Sequence, residues 1–468
     1  MRTRNTRRGM AAAAILVSAG LVLAGCGGSD DEGDGDGGGD VKAEGTWPGE
    51  GKAECEGLAQ LADFGDLTGK EVTLYTSILP PEQEAHEASY KLFTECTGAS
   101  VKYEGSDQFE TQLVVRVKAG NAPDVAYIPQ PGLLKTVVGS GEAVEAPSQT
   151  ADNVDKWFGE DWKGYGSVDG TFYAAPLGAS VKSFVWYSPK MFEENGWTIP
   201  ETWDDMMALS DTIADTGIKP WCAGIESGEA TGWPATDWLE DVLLRDAGAD
   251  VYDQWVNHEI AFDDPAVVES LDRVGSILKD EKYVNGGFGD VNSIATTAFQ
   301  DGGQPILKGE CAMYRMASFY AAQWPEGTDV SENGDVFAFY LPTTNEENGK
   351  PVLGGGEFVA AFDDRAEVQA FQTYLSSDVW ANEKAKATPG GGWVSANTGL
   401  SIDNLTSPID QLSASIFQDP EAIFRFDGSD QMPSAVGAGT FWKEMTAWIT
   451  GKSSEEALGN IESSWPAS

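Results

Sequence analysis

The sequence predicts an α/β protein with parallel strands, arranged as lobes that the chain enters more than once. Three observations point there. Residues 71–129 alternate strand, helix, strand, helix, strand. A second run of apolar strands and amphipathic helices begins near Phe184, and no linker-like stretch separates the two runs. Strands joined through helices lie parallel with helices on their faces. Ligands of such sheets sit beyond the carboxyl ends of the strands, here "TSILPP", "EGSDQ" and "PQPG".

Taken in order, "EVTLYTS" (71–77) is a strand, and "PEQEAHEASYKLFTECTG" (81–98) is one amphipathic helix that Gly98 ends. "ASVKYEG" (99–105) is a second strand, "DQFETQLVVRVKAG" (107–120) a second helix, and "PDVAYIP" (123–129) a third strand. "SFVWYSPKMF" (183–192) is a strand running into a turn. "ETWDDMMALSDTIADTG" (201–217), "WPATDWLEDVLLRDAG" (233–248) and "PAVVESLDRVGSILKD" (265–280) are helices by their apolar spacing. "CAMYRM", "DVFAFYLP" and "GGGEFVAAF" read as strands, with "EVQAFQTYLSS" and "GTFWKEMTAWITG" as later helices.

The first 25 residues have another character. Arg2, Arg4, Arg7 and Arg8 precede the apolar stretch Ala11–Ala24, too short for a membrane-spanning helix but right for a secretory signal. Leu23-Ala24-Gly25-Cys26 resembles the lipobox of bacterial lipoproteins, which implies acylation at Cys26. The acidic, glycine-rich stretch that follows buries no apolar surface, so 26–50 is expected to be a disordered tether, roughly 25 Å long for about twenty flexible residues. This places the body on the extracytoplasmic face of the membrane.

A net charge of −45 repels nucleic acid and anionic lipid and leaves neutral or cationic small molecules as partners. With Cys26 lipidated, Cys55, Cys96, Cys222 and Cys311 remain in an oxidising setting. Three pairings are possible; Cys55–Cys96 with Cys222–Cys311 keeps each bridge between neighbours within one lobe. The only histidines, His86 and His258, lie in no ligand pattern, and no spacing fits a zinc knuckle, so neither a metal site, a Ser-His-Asp triad nor a cofactor is expected.

Four stretches in order carry a family resemblance: "AGNAPDVAYIPQPG" (119–132), "YAAPLGASVKSFVWYSPKMFEENGWTIPETWDDM" (173–206), "ILKGECAMYRMASF" (306–319) and "GGGEFVAAF" (354–362). They resemble the extracellular solute-binding proteins of bacterial carbohydrate ABC importers, in the α-glucoside and maltodextrin-binding branch. The resemblance implies the periplasmic-binding-protein fold, two α/β lobes with a ligand cleft between them. Crossings are expected near Gly178–Lys182, Leu341–Thr344 and Gly390–Trp393. The lobes are then 51–180 with 342–392, and 181–341 with 393–468. It also implies a monomer that captures a neutral sugar by lobe closure and passes it to an ABC permease.

Sugars present apolar C–H faces ringed by hydroxyls, so their sites combine aromatic plates with fixed polar groups; the chain holds 16 Trp. On the first lobe, Ser77 and Glu82 follow the first strand, Glu104, Ser106, Asp107 and Gln108 the second, and Gln130 the third. Asp107 reads equally as a helix cap, and Asp124, at the start of its strand, as structural. On the second lobe the expected contacts are Trp233, Asp237, Arg315 and Phe319, with an ion pair between elements as the other reading of Arg315. Gly355, Gly356 and Glu357 bring backbone and an acid close to a ligand, the competing reading being a tight hairpin. Trp393 forms a cleft wall or hinge plug. Trp442, counted from Met432-Pro433, is the stacking tryptophan or a core residue, and Asp427 and Asp430 are turn residues.

Two other functions fit the residues less well. A same-fold receptor for a polyamine or peptide would suit the acidity. An exported glycoside hydrolase needs a carboxylate pair, which any chain with 75 acids contains.

Overall fold

A computed structural model describes residues 46–285, 290–417, 419 and 421–466. Cys26, the signal and most of the tether lie outside the described residues. Among these, no helix is long and apolar enough to cross a membrane.

The first sheet runs in the order Ser100–Gly105, Glu71–Thr76, Val125–Ile128, Phe358–Ala361, Ala174–Pro176. Its first three strands are parallel, with Leu74 beside both Tyr103 and Val125, as the strand–helix alternation requires. Phe358–Ala361 returns from far along the chain and pairs antiparallel on both sides. The second sheet runs Val284–Asn285, Lys219–Cys222, Cys311–Arg315, Phe184–Tyr187, Phe337–Tyr340, parallel for its first three strands and antiparallel thereafter. Each sheet has its own apolar core: Leu58, Val72, Phe93 and Phe371 pack in the first, Trp186, Trp221, Leu243 and Met313 in the second. The bridges Cys55–Cys96 and Cys222–Cys311 sit one in each core, the pairing expected from chain proximity.

A third, small sheet joins Ala422–Phe426, Lys350–Gly355 and Ser180–Val181, of which only Ser180–Val181 falls at an expected crossing. Gly355 pairs with Ser180, Ala179 bridges to Val394, and the Leu341 amide donates to the Ser183 carbonyl at 2.8 Å. Trp393, Val394 and Leu405 pack in the first core, whereas Ile409 packs in the second.

Three elements differ from expectation. Residues 81–98 form two helices, Glu82–Ser89 and Lys91–Thr97, that meet at Tyr90. The Tyr90 hydroxyl shares a 2.8 Å hydrogen bond with that of Tyr127, and its ring packs edge-on to Phe371. "GGGEF" is not a hairpin: Lys350–Gly355 and Phe358–Ala361 belong to different sheets. The turn after Phe184–Tyr187 is the helix Pro189–Asn195, capped by the Ser188 hydroxyl and ended by Gly196 at φ 68°.

Candidate functional site

Between the two sheets lies a cavity of about 390 Å³. Local sequence explains which first-lobe side chains reach it: Ser77, Asp107 and Gln130 follow the carboxyl ends of the three parallel strands. The second lobe contributes Trp233, at the first turn of the helix Trp233–Ala247, with Pro234 beside it. Trp233 stands 5.1 Å from Phe299 and 6.0 Å from Phe319, centroid to centroid, so the three rings make one aromatic wall. Gly356, Glu357 and Trp442 also line the space, as do Glu82 and Ser106, whereas Gln108 is exposed outside it.

The other five candidates lie outside that lining, each for a physical reason. Glu104 points from its strand to the surface and is ion-paired with Arg116. Asp237 is fully buried between the Lys182 ammonium at 3.0 Å and the Arg315 guanidinium at 3.2 Å. Arg315, also buried, reaches Asp241 at 3.0 Å, the ion pair between elements that was its other reading. A Cβ on Gly355 would stand 2.9 Å from Lys182 Cε, so this glycine makes room for the lysine. Trp393 packs edge-on against Trp380 at 5.5 Å, inside the first core.

Sequence reasoning passed over Lys182 as a site residue, although it lines the cavity and is nearly buried. Its ammonium touches Asp237 and Asp427, whose pull outweighs burial and holds it well above the usual lysine range. Glu110, Glu226, Gln300 and Gln323 also line the space. Asp427 caps the short helix Gly428–Gln431, as a turn residue would, and lines the cavity as well. The signal for Lys182 was its place at the first crossing, where the chain must pass under any cleft.

The cavity wall is acidic. Burial pushes Glu82 up to about 7, the Glu357 charge adding to it, while Lys384 and the amide of Gln323 pull the other way. Glu82 Oε1 accepts from Gln323 Nε2 at 2.7 Å, a hydrogen bond between residues 241 apart that spans the two lobes. Burial likewise raises Glu357 and Glu110, the latter accepting from Gln130 Nε2 at 3.2 Å. Two buried polar atoms on lining residues have no protein partner: Gln130 Oε1, an acceptor, and Trp442 Nε1, a donor. Among the described residues, no group of three His, Cys, Asp or Glu is placed to hold a metal ion.

An aromatic wall, an acceptor, a donor and several carboxyls around one cavity suit recognition of a small polyhydroxylated molecule. Comparison with known proteins agrees. The chain is 39% identical to the osmoprotective compounds-binding protein GgtB of Synechocystis sp., over 86% of its own length and 94% of that relative. It is 35% identical to the alpha-glucosides-binding periplasmic protein AglE of Rhizobium meliloti, over 86% and 88% respectively. The crystal structure of the solute receptor AcbH, which prefers β-D-galactopyranose, superposes with a TM-score of 0.70 at 17% identity, over 84% of this chain and 97% of that one. The family model of bacterial extracellular solute-binding proteins matches residues 76–382, more than half the chain. With two lobes, discontinuous crossings and a cavity between them, the chain belongs to the bacterial extracellular solute-binding proteins.

Proposed function

We propose that this protein captures a sugar, an α-glucoside or short oligosaccharide, by closure of its lobes and delivers it to an ABC permease without chemical turnover. The observation that carries this reading is the cavity itself. Trp233, Phe299 and Phe319 offer faces for the C–H surface of a sugar ring, and Gln130 Oε1 and Trp442 Nε1 lack partners that hydroxyls would supply. The printed names of the two relatives, one for osmoprotective compounds and one for α-glucosides, support the same class. The closing bodies are built on 51–180 with 342–392 and on 181–341 with 393–468, except that Trp393, Val394 and Leu405 pack with the first and Val352 and Leu353 with the second. Cys26 carries the lipid that keeps this monomer beside its permease, in place of a spanning helix.

Calorimetry and thermal melting of the protein from residue 27 onward, against mono-, di- and trisaccharides, test the reading. A ligand at a hundredfold its Kd adds about 2.7 kcal/mol of stability. Binding without product formation is expected; hydrolysis of any bound saccharide, or a panel that leaves the melting curve unmoved, overturns it. Cys26→Ala in the full-length chain is expected to free the protein from membranes with affinity unchanged, and retention of that variant would refute the anchor.

A further inference from the structure

The lining of the cavity holds seven carboxyl side chains and a single cationic one, Lys182. Beneath it the charges can be followed partner by partner. Arg245 and Arg315 serve Asp241 and Asp237. Lys182 serves Asp237 and Asp427. Glu240 accepts the backbone N–H groups of Gly428 at 2.7 Å and Ser429 at 3.1 Å, and Glu110 accepts from Gln130. Asp107, Glu357 and Asp430 are left over, and Asp430 is the most buried of the three. It lines the cavity, is 8% exposed, and its carboxyl accepts no hydrogen bond and joins no ion pair among the described residues.

A buried carboxyl without a donor is unfavourable, and it has two remedies, a proton or a cationic partner. Burial and the neighbouring Asp427 charge raise Asp430, with Lys182 pulling the other way, and this is the first remedy. Neutral hydroxyls would hydrogen-bond it without compensating its charge. An ammonium group would do both. The same corner already accommodates one: Lys182 Nζ lies 5.5 Å over the Trp233 ring, so an aromatic face stands ready to share positive charge.

Resting on the sugar-capture reading above, we infer that the site also takes, and prefers, sugars bearing a protonated amine, with the ammonium seated at Asp430 against the Trp233 side of the cavity. The matched probes are trehalose and maltose, each against its singly amino-substituted derivative, by calorimetry at pH 7. The amino sugar is expected to bind at least about tenfold tighter than its parent. That preference should vanish in Asp430→Asn. If Asp430→Asn fails to fold, the N-acetylated amino sugars decide: keeping the nitrogen but not its charge, they are expected to lose the preference, and retention of it overturns the inference. Parent sugars that bind as well as their amino derivatives overturn this inference while leaving sugar capture standing. A preference that survives in folded Asp430→Asn overturns the assignment to Asp430. If no probe binds at all, sugar capture fails and this inference with it.

Discussion

Replacing Lys182 by methionine removes one ammonium from beneath the cavity and leaves the volume of the side chain nearly unchanged. Asp237 keeps Arg315 at 3.2 Å, so the loss falls mainly on Asp427, which retains only the Ser429 hydroxyl and the Asp430 amide, each at 2.8 Å. Removing one partner of a buried ion pair costs about 3–5 kcal/mol; with Asp237 still paired, about 3 kcal/mol is expected at pH 7. The pH dependence sharpens the test. In the wild type burial raises Asp427, but Lys182 more than offsets it and holds this carboxyl below its ordinary 3.8. That contribution to stability is present above pH 4 and is lost only as pH falls through the lowered value. In Lys182→Met burial prevails, the folded pKa rises above the unfolded one, and ionisation then opposes folding as pH rises. The gap in melting temperature between the two proteins should therefore be small near pH 4 and widest at neutral pH. Adding Asp427→Asn should recover part of it. A gap that stays constant from pH 4 to 7.5, or no gap at all, would refute the assignment of Lys182 as the counter-charge of the cavity floor.

Glu82→Gln should melt with the wild type at pH 4.5 and above it at pH 8. A carboxyl raised from 4.5 to about 7 loses its contribution to stability as pH climbs through that window, whereas the amide oxygen still accepts from Gln323. Trp233→Ala should weaken sugar binding by roughly 10–100-fold in calorimetry, the equivalent of about 1.5–3 kcal/mol for one large apolar contact, with circular dichroism unchanged. Gly132→Ala should lower the melting temperature by the equivalent of about 1–3 kcal/mol, because a Cβ there would lie 1.8 Å from the Met432 carbonyl oxygen and backbone would have to move.

Much of the fold was legible because its causes are local. Apolar spacing marks the strands and helices, and a strand–helix–strand order forces a parallel sheet, so Ser77, Asp107 and Gln130 could be placed at the mouth of the cavity from chain order alone. What was not legible depended on partners far away. Nothing within 81–98 announces two helices; the change at Tyr90 answers to the phenol of Tyr127, 37 residues on. Likewise the glycines at 354–356 suit a hairpin, and only the register of two separate sheets shows that the chain passes from one to the other there.

Charged residues were harder still, since a carboxyl in a string of letters carries no mark of its neutralisation. Asp237 and Asp430 illustrate the point. One was read as a sugar contact and the other as a turn residue, yet Asp237 is enclosed by cations from 55 residues upstream and 78 downstream, and Asp430 faces the cavity without one in contact. Both acids are buried, so burial alone does not separate them. The difference is made by where two long cationic side chains end, which depends on the assembly of the crossing strand Ser180–Val181, the helix Trp233–Ala247 and the strand Cys311–Arg315. A binding site built at the meeting of three such elements is specified by the fold as a whole. Its acids acquire their roles only when the cations arrive.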